Sequence, residues 1–353
     1  MPSSHRKIVR ALALVSMLGS LALVPVADAC TRILWNTNKL AVFVGRTMDF
    51  PVSTEPVITV LPRGMARDGG MFAGARIDAA NPARWTSRYG SIVTSTFGAG
   101  TADGLNEKGV AMHLLYFIPT DFGARDPAKK GLQAALWGQF VLDNAASVAE
   151  ALSLMEDVQP LMVDHDGIKA TVHLAIEDAT GDSAIIEYVP GGKKTVYHNR
   201  DFHIMTNDPS YDQQLANRAT YIFDNATRQT PIPGNTDAKD RFIRADYYRQ
   251  WLPEPKNTRE AIAGILAIAR NVSVPFGAPN REPGSLYNTE YRTAIDLTNR
   301  TYFYESSTAP NVIWTELAKF DLTEGSPVML LDPNNINLSG DVTGQFKPGK
   351  VIF

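Results

Sequence analysis

One cysteine in 353 residues, Cys30, denies the chain any internal disulfide, so burial of apolar surface and backbone pairing must hold its fold together. A hydrophobic content of 44% is ample for that. Cys30 also directly follows a stretch with the pattern of a cleavable secretory signal. Residues 1–29 begin with Arg6, Lys7 and Arg10, continue through the apolar run from Ala11 to Val26, and finish Ala27-Asp28-Ala29, with small residues where signal peptidase reads. Gly19, Ser20 and Pro25 interrupt the run, which falls short of the roughly 18 uninterrupted apolar residues of a spanning helix. The expectation is cleavage of 1–29, a single domain over residues 30–353, and a periplasmic or secreted product with no stable membrane span. A lipid-anchored product is the alternative, although Ala27 and Asp28 stand where lipoprotein signals place Leu and a small neutral residue.

Processing would change the chemistry of Cys30. A thiol and a free α-amino group on one residue make a nucleophile that carries its own base. A lipid on that amine would remove the base. Loss of Arg6, Lys7, Arg10 and Asp28 takes the basic and acidic totals from 34 and 37 to 31 and 36, a net charge of −5. With that balance, and no basic cluster interleaved with aromatics, nucleic acid is excluded as a partner.

Residues 31–35 and 40–46, separated by Asn36, Thr37 and Asn38, read as a hairpin of β-branched and aromatic residues. Further strands are expected at 91–96, 109–117, 170–177, 184–189, 195–199 and 202–206, and again at 292–297, 300–305 and near 311–316. Helical periodicity is clearest at 131–143, 146–156 and 258–270, the last opened by Thr258 with Glu260 in its first turn. Strands and helices alternating in blocks predict antiparallel sheet covered by helices rather than a βαβ repeat.

The second strand of the hairpin carries Gly45-Arg46-Thr47-Met48-Asp49-Phe50, which returns a cation and a carboxylate to the side of Cys30. An arginine near a thiol favours thiolate, and a carboxylate near an α-amino group fixes its proton balance. Arg46 and Asp49 are three apart, so on a regular strand they face opposite sides. Both reaching Cys30 therefore predicts that the strand ends or bends near Met48. Arg46 and Asp49 as solvated surface charges are the plainer alternative.

Cys30-Thr31-Arg32 followed by GRTMDF, then ADGLNEKG at 102–109, MTNDP at 205–209 and DRFIR at 240–244, resembles the choloylglycine hydrolase and penicillin V acylase family of linear-amide hydrolases. RNVSVPFG at 270–277 resembles the branch of that family found in Gram-negative bacteria. The resemblance implies a four-layer αββα sandwich of two antiparallel sheets, with the nucleophile at the start of a central strand. It also implies roles: Cys30 as nucleophile, Arg46 and Asp49 beside it, Asn207 as oxyanion donor, and Arg241 as the second arginine, with Arg244 the competing choice. An amide N–H aimed at a developing oxyanion is worth roughly 2.7–4 kcal/mol. Tyr116, seven residues beyond Gly109, stands where many bile salt hydrolases have Asn, and leans the reading toward an aromatic acyl group such as phenoxyacetyl. A packing role for Tyr116 in its apolar run stays open. Phe50 departs from the Trp of many relatives in this branch.

No cofactor or metal is expected: the six histidines are scattered, with no HExxH or close His/Asp cluster. His113, His173 and His203 fall on candidate strands, where a hydrogen-bonded structural histidine is the default. A papain-like pair would need a histidine beside Cys30. The activity implied is hydrolysis of a small N-acyl amide through a thioester, the substrate being penicillin V, a conjugated bile acid or an N-acyl homoserine lactone. The alternative is an inactive exported ligand-binding or lipid-anchored protein on the same scaffold. Relatives are often tetramers, so a homo-tetramer is a further expectation of the resemblance.

Overall fold

A computed structural model describes residues 30–279, 287–309, 311–351 and 353; the expected signal lies outside them. Sixteen strands build the two main sheets. They are β1 (Thr31–Trp35), β2 (Phe43–Phe50), β3 (Val57–Leu61), β4 (Ser91–Thr96), β5 (Gly100–Asn106), β6 (Val110–Tyr116), β7 (Val172–Asp178) and β8 (Ser183–Val189). After them come β9 (Lys193–His198), β10 (Ile204–Thr206), β11 (Asn288–Asp296), β12 (Thr301–Ser306), β13 (Val312–Glu316), β14 (Val328–Leu331), β15 (Gly340–Asp341) and β16 (Lys347–Gly349). The helices are α1 (Trp137–Asn144), α2 (Val148–Leu154), α3 (Tyr211–Arg218), α4 (Ala238–Gln250) and α5 (Thr258–Asn271).

The first sheet runs β10-β1-β2-β11-β12-β13-β15 and the second β9-β8-β7-β6-β5-β4-β3-β14-β16. Every pair is antiparallel except β13–β15. Helices α4 and α5 pack on the first sheet, and α1 and α2 on the second, giving the four layers αββα. Both faces of each central strand are thereby covered, which is why β1 and β2 are buried along their whole length. Leu105, Ala111, Leu115, Ala175 and Ile185 of the second sheet share one core with the first sheet, while Val93, Met112, Leu174, Ile176 and Ile186 pack under α1 and α2.

Helix α5 shows how sequence sets position. Ile262, Ile265, Leu266, Ile268 and Ala269 form its buried stripe, and the Asn257 side chain caps it by accepting from Glu260 N at 3.0 Å. A Cβ on Gly45 would collide with Ile265, so glycine at that place lets α5 lie close on β2, one residue before Arg46.

Two differences from the sequence reading concern element starts. Residues 131–133 are not helical: Lys130–Gln133 pairs in parallel with Val158–Leu161, a short 3-10 turn follows, and the helix begins at Trp137. The second strand of the opening hairpin runs 43–50 rather than 40–46, because Asn38 Oδ1 accepts from Leu40 N and Ala41 N and holds the approach as a turn. Helix α5 opens at Thr258 with Glu260 in its first turn, as expected, Asn257 being the cap.

Candidate active site

Cys30 stands one residue before β1 and is buried, at 1% exposure. Antiparallel pairing sets Thr31 opposite Thr47 and Arg32 opposite Arg46, so β2 carries its GRTMDF segment alongside the cysteine. Arg46 Nη2 donates to Cys30 Sγ at 3.4 Å and lies 3.5 Å from Met48 Sδ. The Met48 thioether is itself 3.9 Å from Sγ. Arg46 and Met48 face the second sheet. Thr47 and Asp49 face the helical layer, where Thr47 Oγ1 donates to Asp49 Oδ2 at 2.8 Å and Thr289 Oγ1 donates to Oδ1.

From that helical side comes Arg241 of α4. Its Nη1 donates to the Cys30 carbonyl oxygen and to Thr31 Oγ1, both at 2.6 Å, and lies 3.9 Å from Asp49 Oδ2. Its Nη2 donates to Asn207 Oδ1 at 3.0 Å. This fixes the amide: Asn207 Nδ2 points the other way and donates to the Tyr116 carbonyl oxygen at 2.7 Å. Arg244 does not compete, since its Nη1 is engaged by the carbonyls of Pro233 and Asn235 in the loop before α4.

Tyr116 closes the ring of groups at the end of β6. Its hydroxyl donates to Lys169 O at 2.7 Å, and burial raises its ionisation far above the ordinary phenol range. Phe117 N donates to Thr171 O, so by the alternation of an antiparallel ladder the Tyr116 N–H points away from β7. On that other side the register with β5 stops at His113.

A cavity of about 100 Å³ opens on the sulfur, lined by Cys30, Met48, Phe50, Phe97, Tyr116 and His165 with small and aliphatic neighbours. Phe50 lies 5.3 Å from Tyr116 and 6.0 Å from Phe97, centroid to centroid, and His165 lies 5.5 Å from Phe97. No described histidine bonds to Cys30. His113 is engaged by Glu177 and His173 by Glu187, inside the sandwich. Among the described residues no group of His, Cys, Asp and Glu could hold a metal ion, and no helix is long and apolar enough to cross a membrane.

The sequence model of the linear amide C–N hydrolases, choloylglycine hydrolase family, matches residues 30–333, beginning at Cys30. The chain belongs to this family. Relatives of the choloylglycine hydrolase family include the penicillin V acylase of Pectobacterium atrosepticum, 35% identical over 96% of this chain and 95% of that one. The bile salt hydrolase/transferase of Bifidobacterium longum is 21% identical over 83% of this chain and 96% of its own length. Among solved structures, the penicillin V acylase from Agrobacterium tumefaciens superposes with a TM-score of 0.81 at 35% identity, covering 91% of this chain and 98% of that one. The conjugated bile acid hydrolase from Clostridium perfringens shares the fold, with a TM-score of 0.73 at 22% identity over 88% and 98% of the two chains.

In this choloylglycine hydrolase family chain, two sequence expectations change. Strand β2 does not end at Met48; it continues through Phe50, with an irregularity in its pairing with β11 opposite Met48 and Asp49, and Arg46 and Asp49 face opposite sides. Both still reach Cys30, because Arg46 meets the sulfur from the inter-sheet side while Asp49 and Arg241 lie by Cys30 and Thr31 on the helical side. The second change is electrostatic. Burial pushes the Cys30 thiol up and outweighs the downward pull of Arg46 and Arg241, so the two arginines alone do not produce a thiolate. Burial likewise raises Asp49, to about 6, with Arg241, Thr289 and Thr47 pulling it down.

Thr47, Thr289 and Tyr287 were not singled out by the sequence. Thr47 was legible, being two residues from Asp49 and therefore on its face. Thr289 pairs with Asp49 across β11, and the Tyr287 hydroxyl donates to the Asp49 carbonyl at 2.5 Å. Both depend on a strand some 240 residues away, as the separations of 238 and 240 for these bonds record. No local pattern announces them.

Proposed function

We propose that this linear-amide hydrolase is an exported acylase whose nucleophile is Cys30, freed as the amino terminus by removal of residues 1–29. The observation that carries the reading is an apolar, aromatic-walled cavity opening on a sulfur that Arg46 already contacts. A thiol pushed up by burial needs a base, and with no histidine bonded to it the α-amine of Cys30 itself is the group at hand, with an ordinary pKa near 7.7–8.0.

The amine takes the thiol proton and the sulfur attacks the amide carbon. The oxyanion that forms is held by Asn207 Nδ2 and by the Tyr116 backbone N–H, since the Tyr116 hydroxyl is already bound to Lys169 O and its carbonyl to Asn207. Arg241 keeps Asn207 and the Cys30 carbonyl in register. Collapse breaks the C–N bond, the leaving nitrogen takes the proton from the ammonium, and water then hydrolyses the thioester.

The aromatic walls built by Phe50, Phe97 and Tyr116 favour a flat acyl group, phenoxyacetyl above the steroid of a bile acid. The relatives named penicillin V acylases, at 35% identity, support the same choice. The test is a hydrolysis panel of penicillin V, penicillin G, glycine- and taurine-conjugated bile acids and acyl homoserine lactones, run on the processed chain and its Cys30→Ala variant. Penicillin V should give the highest kcat/KM and the variant none. A bile acid as best substrate would overturn the acyl assignment, and activity surviving in Cys30→Ala would overturn the nucleophile. Intact mass of the mature chain reports whether Cys30 is the amino terminus and whether it carries lipid.

A further inference from the structure

The ADGLNEKG segment contributes no group to the steps above, yet its first residues lie under Arg46. Pairing between β4 and β5 sets Thr94 opposite Asp103 and Ser95 opposite Thr101, so Ala102 is the extra residue of a β-bulge. A bulged residue is released from the ladder, and the Ala102 carbonyl instead accepts from Arg46 Nη1 at 2.8 Å. Gly104 fits the same turn of chain, since a Cβ there would strike the Ile92 carbonyl. Between these two residues Asp103 is fully buried in the space between the sheets.

The carboxylate of Asp103 accepts from Tyr302 Oη at 2.9 Å and from Thr293 Oγ1 at 2.5 Å. Thr293 is the residue paired with Arg46 across β2 and β11, which sets the carboxylate beside the arginine. The other charged groups of this layer are matched elsewhere. His113 of β6, 4.0 Å from Asp103 Oδ2, turns its Nε2 to Glu177 at 2.7 Å, and Glu177 is bound by Arg32. Arg32 and Glu177 thus balance one another, leaving Arg46 and Asp103 as the remaining opposite charges of a dry layer. Among the described residues no carboxylate forms an ion pair with Arg46, so its charge has no nearer answer.

We propose that Asp103 is a positioning residue for the nucleophile: its carboxylate supplies the counter-charge that lets Arg46 stay cationic between the sheets and lie against the Cys30 sulfur. Burial opposes the Arg46 charge, and Cys30, Tyr291 and Asp103 together hold it, in agreement with this role. The inference rests on Cys30 as the nucleophile, and its test separates the two ideas.

In the processed Asp103→Asn variant, Arg46 loses the Asp103 carboxylate, and its charge bears more fully on the sulfur it contacts. The groups facing Cys30 itself are unchanged: Arg46 and Asp49 on β2, Arg241 on α4 and Tyr116 on β6. So are the groups facing Asp103 from its neighbours: Arg46, His113 and the tyrosines Tyr291, Tyr302 and Tyr304. The pH midpoint for alkylation of Cys30 by iodoacetamide should therefore fall by about one unit. Over the same range kcat should drop severalfold with KM near wild type, because Asp103 does not line the acyl cavity. An unmoved midpoint in the folded variant would overturn the proposal, since a purely structural aspartate would not shift it. If Asp103→Asn does not fold, the double variant Arg46→Met/Asp103→Asn should, with a higher Tm than Arg46→Met alone; a double variant that does not fold or is no more stable than Arg46→Met overturns the proposal too. Those Tm values do not depend on whether Cys30 is the nucleophile, which Cys30→Ala tests separately.

Discussion

Arg241 holds Cys30 by its backbone and not by its sulfur: Nη1 donates to the Cys30 carbonyl at 2.6 Å while Arg46, on the other face of β2, takes the thiol. The two arginines therefore have different work. One guanidinium fixes where the residue is, and the other faces its sulfur.

Arg241→Lys tests the first of these. Arg241 serves Thr236 O through Nε, Cys30 O and Thr31 Oγ1 through Nη1, and Asn207 Oδ1 through Nη2. A lysine ammonium is a point charge that cannot reach so spread a set of acceptors. We expect kcat/KM to fall roughly 100-fold, a loss of about 2.7 kcal/mol of transition-state stabilisation, with the fold retained by circular dichroism. A lysine variant within a few-fold of wild type would show that the backbone clasp is dispensable.

Asn207 has its amide orientation set by partners on both ends, Arg241 at the oxygen and the Tyr116 carbonyl at the nitrogen. Asn207→Ala removes the donor and should lower kcat by about 10²–10³-fold while KM changes little. Asn207→Asp should be worse, because a carboxylate oxygen would then face the Tyr116 carbonyl. Steady-state kinetics on penicillin V separates the two parameters. A raised KM with kcat unchanged would point to ground-state binding instead.

Asp49 supplies a pH signature. Burial raises it from the ordinary 3.8 to about 6, so the native state binds this proton more tightly than the unfolded chain does. Its contribution to stability is present in full below about pH 4 and is lost as pH rises through 6, roughly 3 kcal/mol across that window by linkage. Unfolding free energies of wild type and Asp49→Asn, measured by urea between pH 3.5 and 7.5, should diverge accordingly. A wild-type minus variant difference that stays flat with pH would contradict the raised value.

Phe50 tests the acyl cavity. Its ring stands between Tyr116 and Phe97, and Phe50→Ala would open the aromatic wall on the Cys30 side. Loss of such ring contacts is worth about 0.5–1.5 kcal/mol beyond the buried area, so kcat/KM for penicillin V should fall roughly tenfold more than for a straight-chain acyl substrate. Parallel losses for both substrates would assign Phe50 to packing alone.

Much of this arrangement is readable from local sequence. The opening hairpin, the motif GRTMDF and the helix at 258–270 announce themselves through β-branched alternation and an apolar stripe. Helix α4 does not. It buries Arg241, Arg244 and Arg249 as well as Phe242 and Ile243, so its inward face is as charged as its outward one and shows no apolar period. Strand β5 is hidden for a related reason: Gly100, Asp103 and Gly104 read as a turn, and only the hydroxyls of Thr293 and Tyr302, some 190 and 199 residues later, make a buried aspartate tenable there. Sites assembled by burying charge are the places where local pattern fails.

Strand β2 acts as a partition. Met48 and Phe50 look into the cavity that opens on the sulfur, and Thr47 and Asp49 look toward the helices, beside Thr289 and Arg241. Resizing the cavity touches the first set and leaves the second alone. The cavity wall and the groups that hold the Asp49 carboxylate thus lie on opposite faces of one strand, within eight consecutive residues.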